Sequence, residues 1–413
     1  MFKRMIMVLV VLILGGSTVF GSSINVSVEG KKMDFDVPPV LENGRTLVPL
    51  RAIFEELGAD IQWEAETKTI TATKGETTIS LQIGNGIAHI NENEVVMDVP
   101  AKVFNGRTMV PVRFVSEAMG AVVGWEGSTK TVTIEQAQIY DRELKRSEKW
   151  TEDEGPYIIE DGFVVQNGVT LEIEPGTAIL VKSNEVSVYG MIKALGVKEN
   201  KIRWNSQGVD SKIMVKGSDG VFDNVISNMS VEMTKAGNTE VINSEFKSIE
   251  VEFSPNVKVN NNVLSGELFG VRIYESDGIE VIGNTISNTG TAVHLKMCKD
   301  SEVVSNSITQ SKSGIVSNSN YNSMFIENEI STCSEYGIRV ENASYGNQYY
   351  HNNMSNNNMN AIAEIGEKNI SMFDNYWGVH KVEQVGETID DFNDDYNLTE
   401  IQYDPILTEP YSK

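Results

Sequence analysis

Two cysteines and four histidines in 413 residues leave little soft-ligand or imidazole chemistry to build with. His89, His294, His351 and His380 form no His-x-His pair, and a transition-metal centre wants clustered imidazole or thiolate ligands, so neither metal nor cofactor is expected. Aspartate almost vanishes between residues 224 and 370, where Asp277 and Asp300 alone occur. Basic residues are also short: 34 Lys and Arg face 58 Asp and Glu, a formal net charge of −24. That balance argues against nucleic acid and anionic membrane surfaces as partners, because both need a basic footprint. Long apolar runs are missing too. Residues 5–14 are the one such stretch, too short for a comfortable membrane span. With Lys3 and Arg4 before it and Val19-Phe20-Gly21 after it, residues 1–21 read as a secretory signal peptide. The mature chain is then expected outside the cytoplasm, without a membrane span.

Asparagine is abundant, and at a fixed register. Asn262, Asn284, Asn306 and Asn328 are 22 residues apart, and Asn352 and Asn375 continue the series after 24 and 23. Steps of 19 extend it back to Asn243 and Asn224. No helical stretch with 3.6 periodicity fits between them. Short β-type runs such as Val271-Arg272-Ile273 and Glu280-Val281-Ile282 do, so the expected fold is mainly β, a solenoid of β coils. Stacked at the inter-strand spacing of about 4.8 Å, equivalent asparagines become axial neighbours, and each amide can bond the next. Two residues on, Leu264, Ile286, Ile308, Ile330 and Met354 form an apolar column expected to be core. Cys298 and Cys333 fall 14 and 5 residues after their asparagines, in different coils, so buried free thiols are expected rather than a disulfide.

Residues 22–136 carry a tandem repeat with an offset of 62, in units of about 24–86 and 87–135. Asn43-Gly44-Arg45-Thr46-Leu47-Val48-Pro49-Leu50-Arg51 returns as Asn105-Gly106-Arg107-Thr108-Met109-Val110-Pro111-Val112-Arg113. Trp63 and Trp125 recur as well. Each unit is read as strands around one short helix, about Leu50 to Leu57 and Val112 to Met119, ending at a glycine suited to the C′ position. The tryptophans are expected to pack beneath the helices. Arg45, Arg51, Arg107 and Arg113 are read as turn-fixing residues. Residues 137–156, rich in charge, are read as a linker or cap, and 157–413 as the solenoid.

These motifs carry two resemblances. The tandem repeat resembles the N-terminal stalk domain of copper amine oxidases, whose metal belongs to a catalytic domain that has no counterpart here. The resemblance implies a spacing or attachment role. Residues 157–413 resemble the right-handed parallel β-helix proteins of bacterial secretions and surfaces, in the opening Gly168-Val169-Thr170-Leu171-Glu172-Ile173-Glu174-Pro175-Gly176 and the closing Asp374-Asn375-Tyr376-Trp377-Gly378. Enzymes of that kind act on polysaccharides along an exposed sheet, so the resemblance directs attention to outward columns.

On the second strand of each coil one outward column reads Glu232, Glu250 or Glu252, Arg272, His294, Val316, Arg339. Its neighbour reads Tyr274, Lys296, Asn318, Glu341. Arg272, Tyr274, His294 and Lys296 thus form an expected cationic and aromatic patch, with Arg339 and Glu341 beyond it. Such a patch suits a uronate, with Tyr274 as a stacking face; alternatively its charges pair between coils at small gain. Neither the motifs of pectate-lyase-like enzymes nor the Gly-His-Gly and Arg-Ile-Lys elements of polygalacturonase-like hydrolases occur. Asp390, Asp391, Asp394 and Asp395 have calcium-like composition without a known loop spacing and are read as a cap. The leading expectation is a secreted or cell-wall-associated, non-catalytic protein binding a polysaccharide or wall polymer. A lyase, hydrolase or epimerase, and a purely structural surface protein or adhesin, are the alternatives.

Overall fold

The structure, a computed structural model, describes residues 24–412 apart from 92, 142, 208–209, 343, 365–368, 392–394 and 396–397. The expected signal peptide and Asp394 lie outside the described residues. The chain divides into two compact units, Met1–Gln136 and Ala137–Lys413.

In the first unit the two repeats interlock. Strands Arg45–Pro49 and Arg107–Pro111 pair antiparallel at the centre of a four-stranded sheet, so each repeat supplies half of it. Their hairpins turn on Asn43-Gly44 and Asn105-Gly106, all four at positive φ, the conformation that tight two-residue hairpins demand. Helices Leu50–Glu56 and Val112–Ala118 follow directly. The first stops in a Schellman arrangement: Gly58 N–H donates to Glu55 O and Ala59 N–H to Phe54 O, with Gly58 at φ 79°. A shared core containing Val48, Ile53, Phe54, Val110 and Val115 closes the unit.

The tryptophans depart from expectation. Trp63 is 48% exposed and Trp125 54%. Trp63 lies opposite Ile70 in an antiparallel pair and two residues from Ile61, so it continues the inner face of its sheet. A helix of 7 residues is only about 10 Å long, too short to roof that whole face, and the indole projects beyond the packed core.

The second unit is a parallel β-solenoid of three sheets with eleven, twelve and ten strands. Residues 138–150, expected in a linker or cap, form its first coil. Gln138–Tyr140, Glu143–Leu144 and Glu148–Trp150 pair in parallel with Tyr157–Ile159, Val164–Val165 and Thr170–Ile173. The charged residues there alternate with Leu144 and Trp150, which point inward and are buried. Trp150 stacks on Tyr157 with centroids 4.5 Å apart, so aromatic rings fill the first layers of the core.

The column Leu264, Ile286, Ile308, Ile330, Met354 is fully buried and in register. Beside it runs the asparagine ladder from Asn262 to Asn375. From Asn284 on, each amide oxygen accepts two bonds from the preceding asparagine, one from its backbone N–H and one from its Nδ2. Asn224 and Asn243 do not belong to it. They sit one residue early, at positive φ, and donate instead to the Asp223 carboxylate. The ladder positions there are Val225 and Ser244: Val225 N–H donates to Ser244 Oγ, and Ser244 N–H to Asn262 Oδ1. The residue before each rung is left-handed throughout, at Asn261, Gly283, Ser305, Glu327, His351 and Asp374. Asparagine tolerates that conformation well, which explains why a ladder-like spacing continues on the wrong residue.

Candidate functional site

Parallel pairing sets the candidate face. In the twelve-stranded sheet Glu250, Arg272, His294, Val316 and Arg339 are successive partners, as are Glu252, Tyr274, Lys296, Asn318 and Glu341. Arg272, Tyr274, His294 and Lys296 are therefore brought together on two adjacent coils, and Arg339 with Glu341 stand two coils further on. All six are half-buried.

The patch is not the cationic one expected. Arg272 bridges Glu250 and Glu252, each at 3.2 Å. Arg339 lies 2.8 Å from Glu341 and also pairs with Glu364. Aromatic rings support both: Arg272 over Phe269 at 5.4 Å and Arg339 over Tyr336 at 5.8 Å. Sequence reasoning missed Phe269, Tyr336 and Glu364, whereas pairing of the charges between coils is the alternative it offered, and Arg272 and Arg339 follow it. The 22- and 23-residue spacing through Thr291 and Ser313 does carry the first two as a further outward column.

His294 is not a cation either. Burial, then the charges of Arg272, Lys296 and Arg339, pull its pKa down to about 4, so the ring is neutral at pH 7. It stacks on Phe269, and its buried Nε2 has no hydrogen-bond partner. Lys296 differs from the arginines. Its Nζ stands 5.5 Å from the centre of the Tyr274 ring and meets no carboxylate among the described residues.

Between the bulky coils lies a coil of small side chains. Ser313, Val316 and Asn318 are at most 8% exposed although they face outward, because the larger residues of the flanking coils overhang them. Asn318, expected to be an open surface residue, donates from Nδ2 to Glu341 at 2.6 Å and accepts from Asn342 at 3.0 Å. The face is thus a shallow trough with polar rims.

Residues 155–391 match the family described as periplasmic copper-binding protein (NosD). The chain belongs to this NosD family. Residues 27–134 match the family described as copper amine oxidase N-terminal domain. A protein from Brevibacillus choshinensis described as a protease inhibitor is 32% identical over 93 residues, 22% of this chain. The match spans 28% of that relative's length, so its activity stays with it. Among solved structures, a point mutant of the periplasmic alginate epimerase AlgG superposes with a TM-score of 0.39 at 15% identity, over 62% of this chain and 74% of that one. AlgG itself gives 0.34 at 13%, over 65% and 78%. Similarity at this level carries no assignment of chemistry to the NosD-family chain.

The donors of this NosD-family member do not fit copper. Cys298 and Cys333 are buried, and burial raises both thiols to about 11. They occupy different corners: Cys298 N–H donates to Asn320 Oδ1 and Cys333 N–H to Asn357 Oδ1. His351 is stacked on Tyr411 at 4.3 Å, and His380 Nδ1 lies 2.8 Å from Thr408 O. Among the described residues no three of His, Cys, Asp and Glu come together to hold a metal. In the acidic C-terminal cluster the buried Asp391 accepts the backbone N–H of Ile401 at 3.0 Å, tying one chain segment to another.

Proposed function

We propose that this is a secreted or cell-wall-associated, non-catalytic protein. In it the duplicated stalk unit spaces or attaches the β-helix, and the face of the twelve-stranded sheet binds a polysaccharide or wall polymer. The observation that carries the reading is Lys296 beside Tyr274, a cation that meets no carboxylate among the described residues next to a half-exposed ring. A pyranose can lie on the ring while the ammonium meets its oxygens. Coils repeat about every 4.8 Å, so a linear polymer meets polar groups at regular intervals along the sheet. The neighbouring arginines are already neutralised, so this surface selects hydroxyl-rich chains with few charges rather than dense polyanions.

The geometry favours binding over chemistry. His294 is neutral, but its Nε2 is covered, and the carboxylates near it are paired with arginine.

Size-exclusion chromatography with light scattering, on the secreted form mixed with neutral and anionic polysaccharides, tests this. Co-elution with a polymer of unchanged mass and unchanged sugar composition supports binding. A fall in polymer mass would reveal a lyase or hydrolase, and altered uronate composition by NMR an epimerase. No association with any polymer would leave the structural surface protein.

A further inference from the structure

The exposed indole of Trp63 borders a cavity of about 500 Å³ within the first unit, in the size range of small-molecule sites. Ile61 and Ile70 give it apolar lining. Arg51 and Glu55 come from the first repeat's helix, and Arg107 comes from the hairpin of the second repeat, paired with Asp36. Arg51 is held only loosely, 3.9 Å from Glu55 and 69% exposed. Neither a ring nor a cation stacks on Trp63 among the described residues.

A bare indole in a concave site, ringed by planar charged groups, has the make-up of a binding surface. The indole offers a face for the C–H side of a sugar ring, while guanidinium and carboxylate groups donate to and accept from hydroxyls. Two cations balance two anions around the cavity, so the ligand it fits is uncharged.

The second repeat provides an internal comparison. The 62-residue offset maps Trp63 to Trp125, Arg51 to Arg113, and the Arg107–Asp36 pair to Arg45–Asp98, which is formed likewise. One small residue changes drastically: Ala52, lining the cavity, becomes Phe114. We propose that the cavity at Trp63 binds a neutral sugar unit of a glycan, and that Phe114 in place of Ala52 keeps the second repeat, whose Trp125 is also exposed, from binding one. This site is independent of the β-helix face and stands or falls separately from it.

The test is calorimetric and fluorescence titration of the full secreted chain with cellohexaose, chitohexaose and mannohexaose, with hexagalacturonate as the charged comparison. Binding of at least one neutral oligosaccharide is expected. Trp63→Ala and Ala52→Phe should each weaken it by about tenfold or more, while Trp125→Ala leaves it within about twofold. Ala52→Phe should fold normally, since the second repeat already carries Phe at that position, and an unchanged urea midpoint checks this. The proposal is overturned if no neutral oligosaccharide binds, if hexagalacturonate is preferred, or if binding survives both substitutions. Loss of that binding in Lys296→Met would place it on the β-helix face and overturn it equally.

Discussion

Asn306 donates twice to one oxygen of Asn328, from its backbone N–H and from its Nδ2, both at 3.0 Å. The second Nδ2 proton goes to Val281 O at 2.8 Å. Every polar group of this buried side chain is thereby satisfied across three coils, without water. Replacing Asn306 with Ala leaves the Val281 carbonyl and neighbouring rungs without partners. The expected cost is about 1–3 kcal/mol in urea denaturation, against less than about 0.5 kcal/mol for the exposed Thr285→Ala. Equal losses at both positions would refute the ladder as the register-holding element.

Lys296 and Arg272 separate binding from internal pairing. Lys296→Met should weaken co-elution with a bound polymer by about tenfold, with little change in stability. Arg272→Gln should do the reverse. It leaves Glu250 and Glu252 facing each other and lowers stability by less than about 1 kcal/mol, while polymer binding stays largely intact. A polymer-affinity ranking with Arg272 above Lys296 would argue that the salt bridges open to receive ligand.

His294 gives the fold a pH dependence of definite sign. Its folded pKa, about 4, lies below the ordinary 6.5, so the unfolded chain binds more protons in that interval. The contribution is fully present above pH 6.5 and is lost as pH falls towards 4. Subtracting the stability profile of His294→Leu from that of the native protein isolates this slope from the carboxylates. Glu250 opposes it, since burial raises its pKa. A flat difference profile between pH 4 and 6.5 would contradict the burial assigned to the ring.

Cys298 and Cys333 should be chemically silent in the folded protein. Both are buried, with thiols raised to about 11, so thiolate is scarce at pH 8. A disulfide-forming thiol reagent should label neither at an appreciable rate in buffer and both in guanidinium. Rapid labelling of one in buffer would mean that its coil opens locally.

The solenoid was legible because its signal is one-dimensional. A 22-residue period, an inward apolar column and a hydrogen-bonding corner residue all survive projection onto a string of letters. The same period hides further ladders that a search confined to asparagine overlooks. At one corner Ser254 N–H donates to Ser276 Oγ and Cys298 N–H to Asn320 Oδ1, and at another Ile279 N–H donates to Ser301 Oγ and Ser301 N–H to Ser323 Oγ, each coil supplying whatever polar side chain it has. Asn224 and Asn243 show the limit of spacing alone. A shift of one residue turns a side chain from the core to the turn, and two adjacent positions both favour asparagine for different reasons, hydrogen bonding at one and left-handed backbone at the other.

The sequence by itself determined the period, the outward columns and the tandem repeat, because each follows from local alternation and stacking at a fixed spacing. The tertiary structure alone decided which charges were free. From the sequence Arg272 and Arg339 read either as an open cationic patch or as charges paired between coils, and only the structure sets glutamates against them and buries His294 so that it stays neutral. Trp63 shows the converse, an apolar residue on the inner face of a strand that emerges into a cavity because the helix above it is too short. Charge state and exposure depend on what stands within a few ångströms, and for these residues those neighbours come from other coils, another strand or another repeat.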